Sequence, residues 1–188
     1  MIGVSKMYSE IMELCGIKDF EIVNPYKNSC NCDYLLISKG YFEKVHKLNP
    51  NSKIIEINSA TFLDLIKSLE SLKKENIGDN ESIGQSIEKL KKLDFKIKND
   101  NLEFVKNFKY NIDSDSKFIK KILYDLGFKN KICRTIKIIP DYNLIENSDL
   151  NDIIVLKTHR YDLNLIERIE DRYLSILNSL NNIILKKT

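Results

Sequence analysis

Residues 33–58, DYLLISKGYFEKVHKLNPNSKIIEIN, decide the fold. The opening YLLIS, Tyr34–Ser38, is an apolar run of the kind found in a strand covered on both faces. Gly40 marks a tight turn. Tyr41–Leu48 reads as one to two helical turns, stopped at Asn49–Pro50 because the residue before a proline is pushed out of the helical region. Lys53–Asn58, KIIEIN, is the next strand. A strand, a short helix and a strand in that order predict parallel pairing through a right-handed crossover.

Upstream, Ser5–Leu14 reads as a short helix with Met7, Ile11 and Leu14 at helical spacing, and Gly16 stands where a helix C-cap glycine belongs. Asp19–Asn24 is a short strand ended by Pro25. Downstream, Ser59 or Thr61 is positioned to cap a helix over Phe62–Glu75, whose apolar residues at 62, 65, 66, 69 and 72 form one stripe. A second helix covers Glu81–Leu93. The stretch 94–111 is ambiguous, with a short strand expected within Leu102–Tyr110. Then follow a helix over Lys117–Leu126 stopped by Gly127, strands at Arg134–Ile139 and Ile153–Lys157, and a long helix over Leu163–Leu185. Asp33 and Asp152 each precede a buried-type strand, an internal echo that suggests two lobes. The expected class is therefore α/β, with two small Rossmann-like parallel-sheet lobes (1–78 and 99–188) joined by a connecting helix (79–98). A single three-layer α/β sheet is the alternative.

The chain has 188 residues, 43% apolar and 30% charged, as a globular protein does. Its 26 lysines far outnumber its four arginines, and the lysines alternate with acids along the helices. With a net charge of only +3, that pattern describes a solvated surface rather than a nucleic-acid site, which leans on arginine forks. No apolar run reaches the length of a membrane span, and the first residues lack a signal-peptide core. A cytoplasmic protein with reduced thiols is the expectation.

The order of elements resembles the cobalamin- and siderophore-binding class of periplasmic binding proteins, in which a helical backbone joins two α/β lobes. Residues 8–16, YSEIMELCG, resemble that family's first helix, which ends in glycine, and residues 19–23, DFEIV, the strand after it. Residues 32–38, CDYLLIS, resemble its "Pro-Asp-Leu-Val-Ile" strand, with Cys32 in the proline position. Residues 116–130, SKFIKKILYDLGFKN, resemble its helix ending in leucine, glycine and asparagine. Residues 151–155, NDIIV, resemble its second "Pro-Asp-Val-Ile" strand. The resemblance implies a shortened intracellular relative that binds a metal-containing cofactor between its lobes: a corrinoid, another tetrapyrrole, an iron chelate or an Fe–S cluster. A non-catalytic assembly subunit with an empty cleft is the alternative.

In a parallel sheet, ligands bind beyond the carboxyl ends of the strands. The expected cofactor-binding residues are Tyr8, Tyr26, Lys39, Tyr41, Asn58, Tyr142, His159 and Arg160, a set suited to a ring system bearing carboxylates. His159 reads either as an axial metal ligand or as a hydrogen-bonded loop histidine. Cys15, Cys30 and Cys32 precede or end elements at the opposite edge. Three thiolates gathered there would ligate zinc or an Fe–S cluster, with a partner protein supplying a fourth ligand. The plain reading is that Cys15 is a small buried apolar residue. No nucleophile elbow, P-loop or glycine-rich dinucleotide turn is present, so an enzyme is not the favoured reading.

Overall fold

The computed structural model describes residues 1–129, 134–143, 153–158, 160 and 162–185. The chain divides into two compact units, Met1–Lys92 and Leu93–Thr188.

The first unit holds a four-stranded parallel sheet of β1 (Ile2–Ser5), β2 (Glu21–Val23), β3 (Tyr34–Ser38) and β4 (Lys53–Ile57), in the order β2-β1-β3-β4. The start of the chain departs from the sequence expectation. Ser5–Leu14 is not one helix: β1 ends at Ser5, a 3₁₀ turn covers Lys6–Tyr8, and the helix α1 is only Glu10–Leu14. β1 lies between β2 and β3 and supplies the buried Val4. Gly16, at φ +66°, closes α1 as expected: its N–H bonds to Glu13 O and the next N–H, of Ile17, reaches Met12 O.

Helix α2 (Phe42–Leu48) connects β3 to β4, and α1 connects β1 to β2 in the opposite direction across the sheet. Right-handed crossovers running in opposite directions put the two helices on opposite faces. On the α2 face, Leu35, Ile37, Cys32 and Val45 form a core cluster with Val23, Tyr26, Cys30 and Ile54 packed against it. Helix α3 (Phe62–Lys74) buries the predicted stripe of Phe62, Leu65, Ile66, Leu69 and Leu72. Its cap is Thr61, whose Oγ1 accepts the Asp64 N–H at 3.1 Å.

Helix α4 (Asn80–Asp100) runs seven residues beyond its expected end, and the division between the units falls within it. The expected strand in Leu102–Tyr110 is instead helix α5 (Leu102–Asn107), and the strand β5 is Asn111–Asp113. The second unit continues with α6 (Lys117–Asp125), β6 (Thr135–Pro140), β7 (Ile153–Leu156) and α7 (Leu165–Leu185). Its parallel sheet has the order β5-β6-β7. The described strands thus form two parallel sheets, as the two-lobed reading requires, and the single-sheet alternative falls.

Inside the second unit, α4, α6 and α7 share a charge network. Lys98 bridges Asp94 at 2.8 Å and Asp125 at 2.9 Å, and the buried Tyr173 hydroxyl donates to Asp125. Burial raises the Asp94 pKa above the usual carboxylate value. Burial works to lower that of Lys98, but its hydrogen bonds to the two aspartates outweigh this and the net shift is upward.

Candidate functional site

Inserting β1 between β2 and β3 makes the connections leave in opposite directions, leftward to β2 and rightward to β4. The carboxyl ends of β1 and β3 therefore flank a topological switch point, the usual place for a ligand in an open parallel sheet. Ser5 ends β1 there. It is only 4% exposed, and among the described residues its Oγ has no hydrogen-bond partner. A buried hydroxyl without a partner is costly, so it calls for an explanation. Sequence reasoning placed the stretch Ser5–Tyr8 at this edge as the opening of a helix and did not name the Ser5 hydroxyl, because it did not read Ile2–Ser5 as a strand.

The neighbouring strand ends supply the remaining groups. Tyr26 accepts the Ser38 N–H at 2.9 Å, which pins its hydroxyl to the end of β3. Its ring meets that of Tyr41 edge to face, with centroids 5.3 Å apart. Between them Lys39 turns the chain, its own N–H bonded to Ile57 O, and Gly40 N–H donates to the Glu56 carboxylate at 2.6 Å. Tyr41 is 48% exposed. Asn58, at the end of β4, is used locally: its N–H donates to Ser68 Oγ and its Oδ1 accepts the Ala60 N–H. Asn49, 2% exposed, steadies the loop bearing Tyr26: its Oδ1 accepts the Cys30 N–H at 2.6 Å, and its Nδ2 reaches Pro25 O, Asn28 O and Val45 O.

The first unit thus brings Tyr26, Lys39, Tyr41 and Asn58 to one sheet edge. Tyr8 follows β1 at the same end but is 5% exposed and belongs to the core. In the second unit Tyr142 follows β6 and is 61% exposed. Asp141 ties the ends of β6 and β7 together by accepting from Thr158 Oγ1 at 2.7 Å and its N–H at 3.2 Å. Arg160 is already engaged, in a fork on Asp162 and at 3.4 Å from Asp171. Its guanidinium holds the Asp162 carboxyl down to about 2. His159 lies outside the described residues.

The expected cysteine cluster does not form. Among the described residues no three His, Cys, Asp or Glu side chains are grouped to hold a metal ion. The sheet separates the thiols. Cys15 ends α1, is 0% exposed, and packs against Gly78, while its carbonyl accepts the Asp79 N–H at 2.8 Å. Cys32 and Cys30 belong to the core on the α2 face. Burial pushes the Cys15 thiol up to about 12. Burial first and the Glu21 charge second also raise Cys30 and Cys32.

The two parallel sheets give an α/β fold that is similar to those of solved periplasmic solute-binding proteins. The chain resembles the manganese complex of the solute-binding protein FpvC from Pseudomonas aeruginosa over 100% of its own length and 99% of that chain, with a TM-score of 0.64 at 11% identity. It resembles ZnuA over 96% and 97% of the two chains, with a TM-score of 0.54 at 9% identity. A metal-free point mutant of a periplasmic metal binding protein from Candidatus Liberibacter asiaticus gives 0.53 at 11% identity, over 95% of this chain and 98% of that one. Residues 3–94 match the N-terminal domain of the MJ0786 family and residues 107–185 its C-terminal domain. The chain is 50% identical over 186 residues to the uncharacterized protein MJ0786 of Methanocaldococcus jannaschii, covering 98% of this chain and 96% of the relative. It belongs to the MJ0786 family. Among the described residues no helix is long and apolar enough to cross a membrane.

Proposed function

We propose that this protein is a non-catalytic binding protein whose first unit holds a ligand at the carboxyl ends of β1 and β3, and that the ligand is a metal-containing cofactor or chelate. The observation that carries the reading is the buried Ser5 hydroxyl, unpartnered among the described residues, at the carboxyl end of β1, the sheet edge that also bears the Tyr26–Tyr41 pair and Lys39. The structural neighbours support a metal-bearing cargo, since two of them are a manganese complex and a periplasmic metal binding protein. The described residues of this chain do not fit a bare ion, because they offer no group of three ligating side chains. They suit a chelate gripped by its organic rim: an exposed tyrosine ring to stack on, an ammonium for a carboxylate and a hydroxyl for a polar edge. A corrinoid, another tetrapyrrole and an iron chelate all have such rims.

The test is direct. Purified protein is titrated with cobalamin, haem and a ferric catecholate, with absorbance and co-elution recorded. Binding of one of them should weaken about five-fold or more in Tyr41→Ala, the scale of one lost aromatic contact. If none of the three changes spectrum or co-elutes, the proposal is wrong.

A further inference from the structure

The order β2-β1-β3 obliges the chain leaving β2 to cross β1 before it enters β3. No helix makes this crossing: residues 24–33 contain only turns and irregular backbone between Val23 and Tyr34. The crossing runs in the same direction over the sheet as the one from β3 to β4, so its handedness puts it on the α2 face. Its residues Tyr26 and Cys30 pack against the core cluster of that face, as this requires.

The Ser5 side chain points to the same face. Ser5 pairs with Val23, and one step beyond the Val4–Leu36 pair it stands beside Ile37. Paired residues in a parallel sheet share a face, and Val23 and Ile37 both belong to the cluster on the α2 side. There the hydroxyl is buried and, among the described residues, without a hydrogen-bond partner. What holds the crossover down is mostly polar. Of residues 24–31 only Pro25 is buried. Asn24 O accepts from the Lys27 and Asn28 N–H groups, which folds the first half into a turn. Two clasps tie it to the body: Ser38 N–H donates to the Tyr26 hydroxyl at 2.9 Å, and Cys30 N–H donates to Asn49 Oδ1 at 2.6 Å. Asn49 Nδ2 adds longer bonds of 3.4 Å to Pro25 O and Asn28 O. The far end is fixed where Ser52 Oγ donates to Cys32 O at 2.7 Å. A segment with little apolar burial, held by a few polar bonds, belongs to the low-stability end of a fold.

We infer that residues 24–31 form a gate over Ser5, that the gate opens as one unit with both clasps released together, and that ligand enters through the open form. The inference rests on the reading of the Ser5 edge proposed above. It accounts for a hydroxyl that is inaccessible in the closed protein and yet placed at the ligand edge.

Amide hydrogen exchange of the full chain, followed by NMR, tests the gate without any cofactor. The Ser38 and Cys30 N–H groups belong to different elements, and each is bonded across a clasp. Their protection should agree within about three-fold and lie at least about ten-fold below that of Leu36, fully buried in β3. Tyr26→Phe removes the acceptor of Ser38 alone, yet should speed Cys30 exchange about two- to twelve-fold, the weight of one hydrogen bond. Asn49→Ala is the second variant and should speed Ser38 exchange, with Leu36 protection reporting in both whether the fold survives. For whichever of cobalamin, haem or the ferric catecholate binds, Asn49→Ala should raise the association rate by the factor it raises Ser38 exchange, since entry scales with the open fraction. The gate is overturned if Ser38 and Cys30 are protected as strongly as Leu36, if the effect of Tyr26→Phe stays confined to Ser38, or if exchange quickens without association. Failure of all three cofactors to bind overturns instead the reading of the site, and the gate's part in entry with it, while the exchange data still decide whether the crossover opens as a unit.

Discussion

Replacing Ser5 by alanine should move stability and binding in opposite directions. In the ligand-free protein the hydroxyl is buried and, among the described residues, unpartnered, so it is desolvated without compensation. Such a group costs about 1–3 kcal/mol. Its removal leaves a methyl on β1 in a site already 4% exposed, and the change in volume is one atom. The expected gain is therefore about 1–2 kcal/mol, read as a higher urea midpoint at unchanged slope. If the hydroxyl meets a ligand, the same change deletes one hydrogen bond, worth about 0.5–1.5 kcal/mol, and binding weakens by about two- to twelve-fold. Urea unfolding followed by circular dichroism, with titration of whichever cofactor binds, measures both. A destabilised variant would refute the reasoning, since it would mean the hydroxyl is satisfied in the free protein. A stabilised variant with unaltered affinity would leave the switch point without a role.

Other expectations follow from the same geometry. Cys15, raised from the ordinary 9.0 to about 12, keeps its proton in the folded state where the unfolded chain has lost it. Its contribution is present below pH 9 and is lost as pH rises toward 12, at up to about 1.4 kcal/mol per pH unit. Cys15→Ala should therefore show a shallower alkaline fall than the parent, from about pH 9 to about pH 11, in parallel urea titrations; an identical slope would contradict the burial of this thiol. Asn49→Ala orphans the Cys30 N–H and loosens three carbonyls, and should cost about 2–3 kcal/mol in the urea assay. A loss under about 0.5 kcal/mol would show that water replaces the side chain fully. Lys98→Met leaves Asp94 and Asp125 facing each other without their cation, at a cost of about 1–3 kcal/mol. Adding Asp94→Asn should recover part of it, and strict additivity of the two changes would argue against the network.

What sequence reasoning reached and what it missed divide at β1. The strands β3 and β4 were legible as short apolar runs bounded by turn residues, as Leu35–Ile37 is, and helix α3 by the helical period of its Phe62–Leu72 stripe. The four residues Ile2–Ser5 give no such period: one is glycine, the run is short, and Met7 and Ile11 beyond it mimic a helix. Gly3 is in fact required there. A Cβ on it would come within 2.7 Å of Cys32 Sγ and 2.9 Å of Leu35, so the residue that weakens the strand signal is the one that lets β1 seat over its neighbours. The cysteine cluster failed for the same reason. Without β1 the first sheet is narrower, and Cys15 and Cys32 are free to meet at one edge; with β1 in place they belong to opposite faces. The gain and the loss are one event. The inserted strand that separates the thiols is also what reverses the chain's direction across the sheet, creates the switch point and leaves Ser5 at its end. Of the two edges sequence reasoning offered, the carboxyl edge for a cofactor and the amino edge for a cysteine-bound metal, the functional reading keeps the carboxyl edge. There Tyr26, Lys39 and Tyr41 were already named, but the Ser5 hydroxyl at the end of β1 was not.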